Sequence, residues 1–322
     1  MKITQFALGF MLASSASLGG MLASHALAQE ATVKQSSAGF YRTQLGQFTV
    51  VALSDGTVDL PMDKLLHQDA EKTKQQLAKM FLNVPTETSV NGYLIDTGNE
   101  VLLVDTGAGS LFGPTLGKIT SSLQAAGYSL SDVNHILITH LHPDHVGGLS
   151  KGGQRVFENA TIHAGQADLD FWLSKAQMAK APKDSKGFFQ GAMSSLNPYV
   201  SAGKVKGLQG DEQIVPGIQT DATHGHTPGH TSYVVSSEGQ EMWVIGDLIH
   251  AGAVQFPHPE TTIDFDSDPE QAKAQRLRVF STIAKREALV AGAHLQFPGL
   301  GHLRKTQDGF NWVPANYRRL RE

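Results

Sequence analysis

The apolar positions first run nearly unbroken from Phe6 to Leu22, then break into short periods punctuated by Gly, Pro and Asn. Gln47–Leu53 (QFTVVAL) predicts a strand, and Val90–Asp96 with Val101–Asp105 predict a hairpin joined through Thr97-Gly98-Asn99. Thr115–Ala126 has helical spacing and stops at Gly127. His135–Thr139 (HILIT) suits a short buried strand. A helix over Gln166–Lys180 is followed by a Pro/Gly/Lys loop through Gly191, and strands are expected near Gln219–Ala222, Ser232–Val235 and Met242–Ile245. Pro269–Arg286 starts on a proline and carries an amphipathic helical period, after which Leu289–Ala291 resumes as a strand. Strands in two blocks, each accompanied by helices, predict an α/β protein in which two sheets are covered by helices outside. No internal repeat, low-complexity stretch or linker calls for a second domain.

The first apolar run stands apart from this pattern. Lys2, the small-residue stretch Phe6–Leu22 and the ending Ala26-Leu27-Ala28 have the form of a secretory signal peptide over residues 1–28, cleaved before Gln29. Ser14, Ser15 and Ser17 interrupt the run, which is too weak for a spanning helix. The expected product is a secreted or periplasmic protein, one domain over residues 29–322, with no membrane partner.

Composition narrows the chemistry. Among 322 residues, 26 basic and 30 acidic side chains give a net charge of −4 without long single-sign runs, which argues against a nucleic-acid partner. Cysteine is absent, so disulfides, thiolate metal sites and cysteine nucleophiles are excluded together. Histidine is abundant instead, at 14 residues.

The densest histidine cluster follows the HILIT strand directly. His140-Leu-His142-Pro-Asp144-His145 places four ligand-type side chains within six residues. In an extended segment residues i and i+2 point the same way, so His140 and His142 can hold one ion. Pro143 stops the extension, and Asp144 and His145 then point at a neighbouring volume, which fits two ions better than one. Without thiolates, a His/Asp set of this kind argues for catalysis over a closed structural site. Further ligands come from elsewhere. His224-Gly-His226-Thr-Pro-Gly-His230 can project one imidazole inward while another buttresses it. Asp247 ends the apolar strand WVIG and His294 the run ALVAGA, and a carboxylate in such a place has little purpose unless it meets a cation.

HLHPDH, GHTPGHT, IGDLI and AGAHL resemble the successive motifs of the metallo-β-lactamase-fold hydrolases, over nearly the whole chain after residue 28. That resemblance implies an αββα sandwich. It implies two divalent metal ions per chain, Zn2+ first among candidates, with Mn2+, Co2+ or Fe2+ also accepted. His140, His142 and His226 would hold the first; Asp144, His145 and His294 the second; Asp247 would bridge them. Asp105 in LVDTG would support the loop, and His230, with His224, would orient His226. His142 and the missing cysteine set the chain apart from flavodiiron-type oxidoreductases and from the commonest β-lactamases.

Within that family, FGPTLG, SKGFFQGAMSSLNPYV, AVQFPHPE and AHLQFPGLGHLR resemble methyl parathion hydrolase and its lactonase relatives. The similarity implies a pocket walled by Phe112, Trp172 and Phe188, a homodimer, and a specificity wall of Leu65, His250, Ile263 and Phe265, where organophosphate specialists carry other residues. Bulkier groups there narrow the space for a tetrahedral phosphotriester and favour a flat aromatic ester. His250 stands at the offset from Asp247 where acyl-homoserine lactonases place a Tyr, and is expected to polarise the carbonyl or assist the leaving oxygen.

The expected activity is hydrolysis of dihydrocoumarin-like lactones and aryl esters by a hydroxide held between the metals, with weaker cleavage of methyl parathion-like phosphotriesters. A dedicated phosphotriesterase, an iron-dependent sulfur dioxygenase and a non-catalytic metal binder are the alternatives. His302, closing a Pro/Gly loop, is a candidate for the pocket surroundings; His67, His135, His163 and His258 read as surface or strand-end residues.

Overall fold

The computed structural model describes residues 37–317, so the signal-peptide segment lies outside the described residues. Two seven-stranded sheets dominate them. The first contains β1 (Phe40–Leu45), β2 (Phe48–Leu60), β3 (Thr86–Asp96), β4 (Val101–Val104), β5 (His135–Leu137), β6 (Thr161–Gly165) and β7 (Val205–Leu208), in that spatial order. The second contains β8 (Gln213–Val215), β9 (Ile218–Ala222), β10 (Thr231–Ser237), β11 (Gln240–Val244), β12 (Leu289–Ala291), β13 (Leu300–Lys305) and β14 (Phe310–Pro314). β4 to β7 run parallel, as do β11 and β12; the other neighbours are antiparallel.

Alternation along each strand builds three apolar layers. Val50, Ala52, Tyr93, Ile95, Leu102, Val104 and Leu137 face Tyr233, Val235, Met242 and Val244 across the inter-sheet core. Their neighbours Val51, Leu53, Leu94, Leu103 and Ile136 face outward onto the helices Ile119–Ala125, Gln166–Trp172 and Lys186–Ser201. On the other side, Trp243 and Val290 meet Val279, Phe280 and Ile283 of helix Pro269–Arg286. The arrangement is the expected αββα sandwich. Central strands buried on both faces read as unbroken apolar runs, which is why VLLV and HILI stand out. No helix among the described residues is long and apolar enough to cross a membrane.

The hairpin through Thr97-Gly98-Asn99 forms as expected, with Asp96 opposite Val101. Three helical boundaries differ from expectation. The helix expected from Thr115 begins at Ile119, because Gly117 takes a positive φ of 85° and the buried Asp55 carboxylate accepts the N–H groups of Ala108, Gly117 and Ile119. The helix expected over Gln166–Lys180 is two, Gln166–Trp172 and Lys175–Lys180; Ser174 breaks the period by accepting the N–H of Gln177. The loop expected through Gly191 is instead the start of the helix Lys186–Ser201. Gly191 is needed there for contact rather than flexibility, since a Cβ would lie 2.7 Å from Pro143 Cγ.

His163 lies buried between β5 and β7 neighbours, its Nε2 3.1 Å from His135 Nδ1. Burial, reinforced by His135 and Lys206, pushes it down to about 4, below its ordinary value of 6.5. A depressed histidine binds fewer protons folded than unfolded, so its contribution is present above pH 6.5 and is lost as pH falls towards 4. We expect His163→Gln to flatten the acid side of the stability profile by on the order of 2–3 kcal/mol between pH 7 and 4, read by urea unfolding. Equal pH slopes for the two proteins would contradict this.

Candidate metal centre

β5 ends at Leu137, and the chain passes through a bend at Thr139 to His142, whose backbone is extended, before Pro143 opens the short helix Pro143–Val146. His140 and His142 face the same imidazole, His226, while Asp144 and His145 project from the helical turn. His226 arrives from the loop between β9 and β10, Asp247 from the turn after β11, and His294 from the turn after β12. Each apolar strand thus delivers its ligand at one end of the sandwich, as a crevice beyond strand termini does in open α/β sheets.

The side chains converge. His226 Nε2 lies 3.2 Å from His140 Nε2 and 3.1 Å from His142 Nδ1. Asp247 Oδ2 is 3.6 Å from His140 Nε2, 3.4 Å from His226 Nε2 and 3.2 Å from His294 Nε2, and its Oδ1 is 3.2 Å from His145 Nε2. Asp144 Oδ2 stands 3.5 Å from both His145 Nε2 and His294 Nε2. The ligating atoms of His140, His142, His226 and Asp247 all fall within 4.8 Å of one another, as do those of Asp144, His145 and His294. A third such group is Asp247, His250 and His294.

These contacts fit cations better than hydrogen bonds. His145 Nε2 and Asp247 Oδ1 are close and fully buried, yet misaligned, and neither has a hydrogen-bond partner. His140 Nε2 and His142 Nδ1 both lie within 3.2 Å of His226 Nε2, which can share a proton with only one of them. Unpaired buried polar atoms cost about 1–3 kcal/mol each, so an all-polar cluster of this size requires a counter-charge at its centre. Borderline divalent metals match a set of imidazoles and carboxylates.

Electrostatics agree. Burial drives His140 and His142 well below the ordinary histidine range, as neutral ligands require. Burial would raise Asp247, but His145, His294, His140 and His250 hold it well below the usual carboxylate range. Burial opposes charge on His145 and His226 too, yet carboxylates outweigh it: Asp247, Asp144 and Asp105 hold His145 well up, and Asp247 with Asp266 lifts His226 to about 9. Both imidazoles release protons when a cation binds.

A ring of partners fixes the ligands. Asp105 accepts the N–H and hydroxyl of Thr139 and bonds His145 Nδ1 at 2.8 Å, the supporting position expected for it. His226 Nδ1 is held by Asp266 at 2.9 Å, not by His224 or His230. His230, pushed by burial down to about 3, instead accepts the backbone N–H of Asp247 at 3.0 Å. Asp266 lies in a loop (TTIDFDSDP) rich in carboxylates, where nothing local marks it out. Buried Arg276 supports it from 3.9 Å while donating to the carbonyls of Leu248, Pro259 and Thr261.

Among the expected pocket residues, Trp172 and Phe188 stand edge-on to His142, with ring centroids at 5.1 and 5.0 Å, and Phe265 lies 5.7 Å from the His250 ring. Phe112 forms a half-exposed rim. Leu65 and Ile263 do not line the cavity: they pack with Met62, Leu66 and Ala251 in a cluster that carries Phe265. Leu66, next to Leu65, forms a β-bridge with the fully buried Ile263. His302 sits on β13 against the carbonyls of Glu287 and Ala288, outside this constellation.

A profile of the metallo-beta-lactamase superfamily matches residues 85–294. An N-acyl homoserine lactonase of Bacillus cereus is 26% identical over 229 residues, covering 66% of this chain and 82% of that protein. Among solved structures, the hydrolase AbOPH of the beta-lactamase superfamily is similar with a TM-score of 0.84 and 35% identity, covering 88% of this chain and 100% of that one. AidC, a dizinc quorum-quenching lactonase in complex with a product, N-hexanoyl-L-homoserine, gives 0.80 and 27%, covering 87% and 99%.

If cations neutralise this cluster, removing them must destabilise the fold. At free zinc about 1,000-fold above Kd, occupancy contributes about 4 kcal/mol, so exhaustive chelation is expected to lower the thermal midpoint by roughly 10 °C, reversibly on adding zinc. An unchanged midpoint, with metal loss verified by mass spectrometry, would contradict the assignment.

Proposed function

Because the chain belongs to the metallo-beta-lactamase superfamily and is a metal-dependent hydrolase close to the N-acyl homoserine lactonases, we propose that it cleaves small neutral lactones and activated aryl esters of the dihydrocoumarin type. Phosphotriesters of the methyl parathion type are weaker substrates. The observation that carries this reading is an apolar cavity of about 140 Å³ directly over the ligand cluster. Val58, Leu60, Phe112, Leu116, Phe188 and Phe265 wall it, and His142, Asp144, Asp247, His250 and His294 form its polar floor. A flat ring ester buries its hydrocarbon against those walls and turns its one polar group to the floor. A phosphotriester needs room for three diverging substituents around phosphorus, and Phe265 and His250 restrict it.

His140, His142 and His226 would hold one cation, Asp144, His145 and His294 a second, with Asp247 between them. Cations bound there would lower the pKa of a water and polarise the ester carbonyl. The chain's own residues do the rest. Asp105 and Asp266 orient His145 and His226, so the donor atoms are in place before substrate arrives. The aromatic walls exclude bulk water, which strengthens every electrostatic contact at the floor. His250, which burial keeps neutral, presents Nε2 3.1 Å from Asp247 Oδ2, where it can donate to the oxygen of a bound ester. A phenolate leaves readily, so no strong general acid is required.

A second substrate class has its own support. A larger cavity of about 560 Å³ adjoins the first through His142, Phe188 and Phe265, with Trp172 and Phe171 on its wall. It offers space for a substituent such as an acyl chain, and AidC holds an acyl-homoserine product. A panel of dihydrocoumarin, N-hexanoyl homoserine lactone and methyl parathion, run on protein of measured metal content, tests the order. The kcat/KM for dihydrocoumarin is expected to exceed that for methyl parathion at least about tenfold, a difference of ~1.4 kcal/mol in transition-state binding. A larger value for the phosphotriester would reverse the assignment, and one largest for the acyl-homoserine lactone would replace the aromatic substrate by the second class.

A further inference from the structure

Asp168 is a fully buried carboxylate in the first turn of helix Gln166–Trp172, and it touches no substrate cavity. Its three hydrogen bonds all go to the two loops that carry the first ligand group. Oδ2 accepts the N–H of Leu141, the residue between His140 and His142, at 3.0 Å, and the hydroxyl of Thr227, the residue after His226, at 2.8 Å. Oδ1 accepts the N–H of Gly229 at 2.6 Å. One side chain therefore ties the His140–His142 segment to the His226 loop.

The packing around it leaves no slack. A Cβ on Gly165 would lie 2.1 Å from the Gly229 carbonyl oxygen, and a Cβ on Gly229 would lie 2.4 Å from the Asp168 nitrogen. The His226 loop thus rests directly on the start of the helix. The three imidazoles it brings together cannot all satisfy one another, because His226 Nε2 can make an N–H···N hydrogen bond with only one of its two partners at 3.1–3.2 Å, leaving the other contact unpaired. Something other than their mutual contact must hold them at that spacing before a cation does. The same helix face continues one turn on to Trp172, whose ring meets His142 at 5.1 Å, so the strut that joins the loops also backs His142.

We infer that Asp168 is a positioning residue for the first cation site: by clamping the two ligand loops it sets the affinity and the ligand geometry of the His140/His142/His226 group without binding the cation itself. Removing a partner that orients a metal ligand typically weakens binding about 10–100-fold. The inference rests on the reading that this cluster holds divalent cations, and the experiment separates the two. Cobalt(II) is titrated into the metal-free full-length protein, with visible ligand-field absorption and a competing chelating dye as readouts. Wild type is expected to take up two equivalents. Asp168→Asn keeps the size but puts an NH2 group against a backbone N–H; it is expected to bind one of the two cobalt ions about 10–100-fold more weakly, with a shifted absorption band. Thr227→Val removes a single hydrogen bond and is expected to show the same change at several-fold. If wild type binds no cobalt, the cation reading falls and takes the clamp with it. If wild type binds cobalt and Asp168→Asn keeps its affinity and band, even with a lowered melting temperature, the clamp alone is overturned. Should Asp168→Asn fail to fold, Thr227→Val decides: an unchanged affinity and band overturn the proposal, and a weakened, shifted site supports it.

Discussion

The structure is organised around the buried polar cluster at its own site. Five imidazoles and two carboxylates meet, all buried except the partly exposed Asp144, and two of their atoms, His145 Nε2 and Asp247 Oδ1, have no partner. Such a cluster is unstable unless the surrounding fold holds it open and divalent cations fill it. The rest of the fold can be understood as the means of satisfying that condition. Both sheets are apolar on both central faces, so the strands β5, β11 and β12 are anchored firmly enough for their termini to carry polar groups into one spot.

Rigid strands alone do not aim side chains, and the loops beyond them are tied by buried carboxylates. Asp55 gathers the turn before helix Ile119–Ala125, Asp105 holds Thr139 and His145, Asp168 joins the loops of His140 and His226, and Asp266 orients His226. Each of these carboxylates spends its lone pairs on backbone N–H groups, hydroxyls or imidazoles, which makes its burial tolerable. Over the polar floor lie Phe112, Phe188 and Phe265, so a substrate meets an apolar enclosure and a strongly polar base.

Much of this is legible in the sequence because it is local. HLHPDH contains its own geometry: two histidines in extended chain, a proline that ends it, then two more ligands on a turn. Asp247 and His294 stand out because a polar side chain that ends a buried apolar strand is costly unless it meets a cation. What escapes a reading along the chain is non-local. Asp168 and Asp266 act on loops distant in sequence, and neither sits in a pattern that distinguishes it from a solvated acid. His230 belongs beside the site, as its motif implies, and packs edge-on to His226, but its hydrogen bond is to the Asp247 backbone rather than to His226, a choice that depends on how β10 and β11 pack. The helix Lys186–Ser201 is hidden by Gly187 and Gly191, which look like helix breakers; tertiary contact with Pro143 demands the second of them. Leu65 and Ile263 illustrate the same limit, because their packing with Met62, Leu66 and Ala251 joins segments far apart in sequence.

The proposed function rests on a pair of divalent cations, which the two ligand groups would hold with the Asp247 carboxylate between them. Anomalous diffraction from crystals of the zinc-loaded protein, recorded above and below the zinc edge, tests that arrangement most directly. Two peaks are expected, one among His140, His142 and His226 and the other among Asp144, His145 and His294. A single peak, or density away from Asp247, would contradict it.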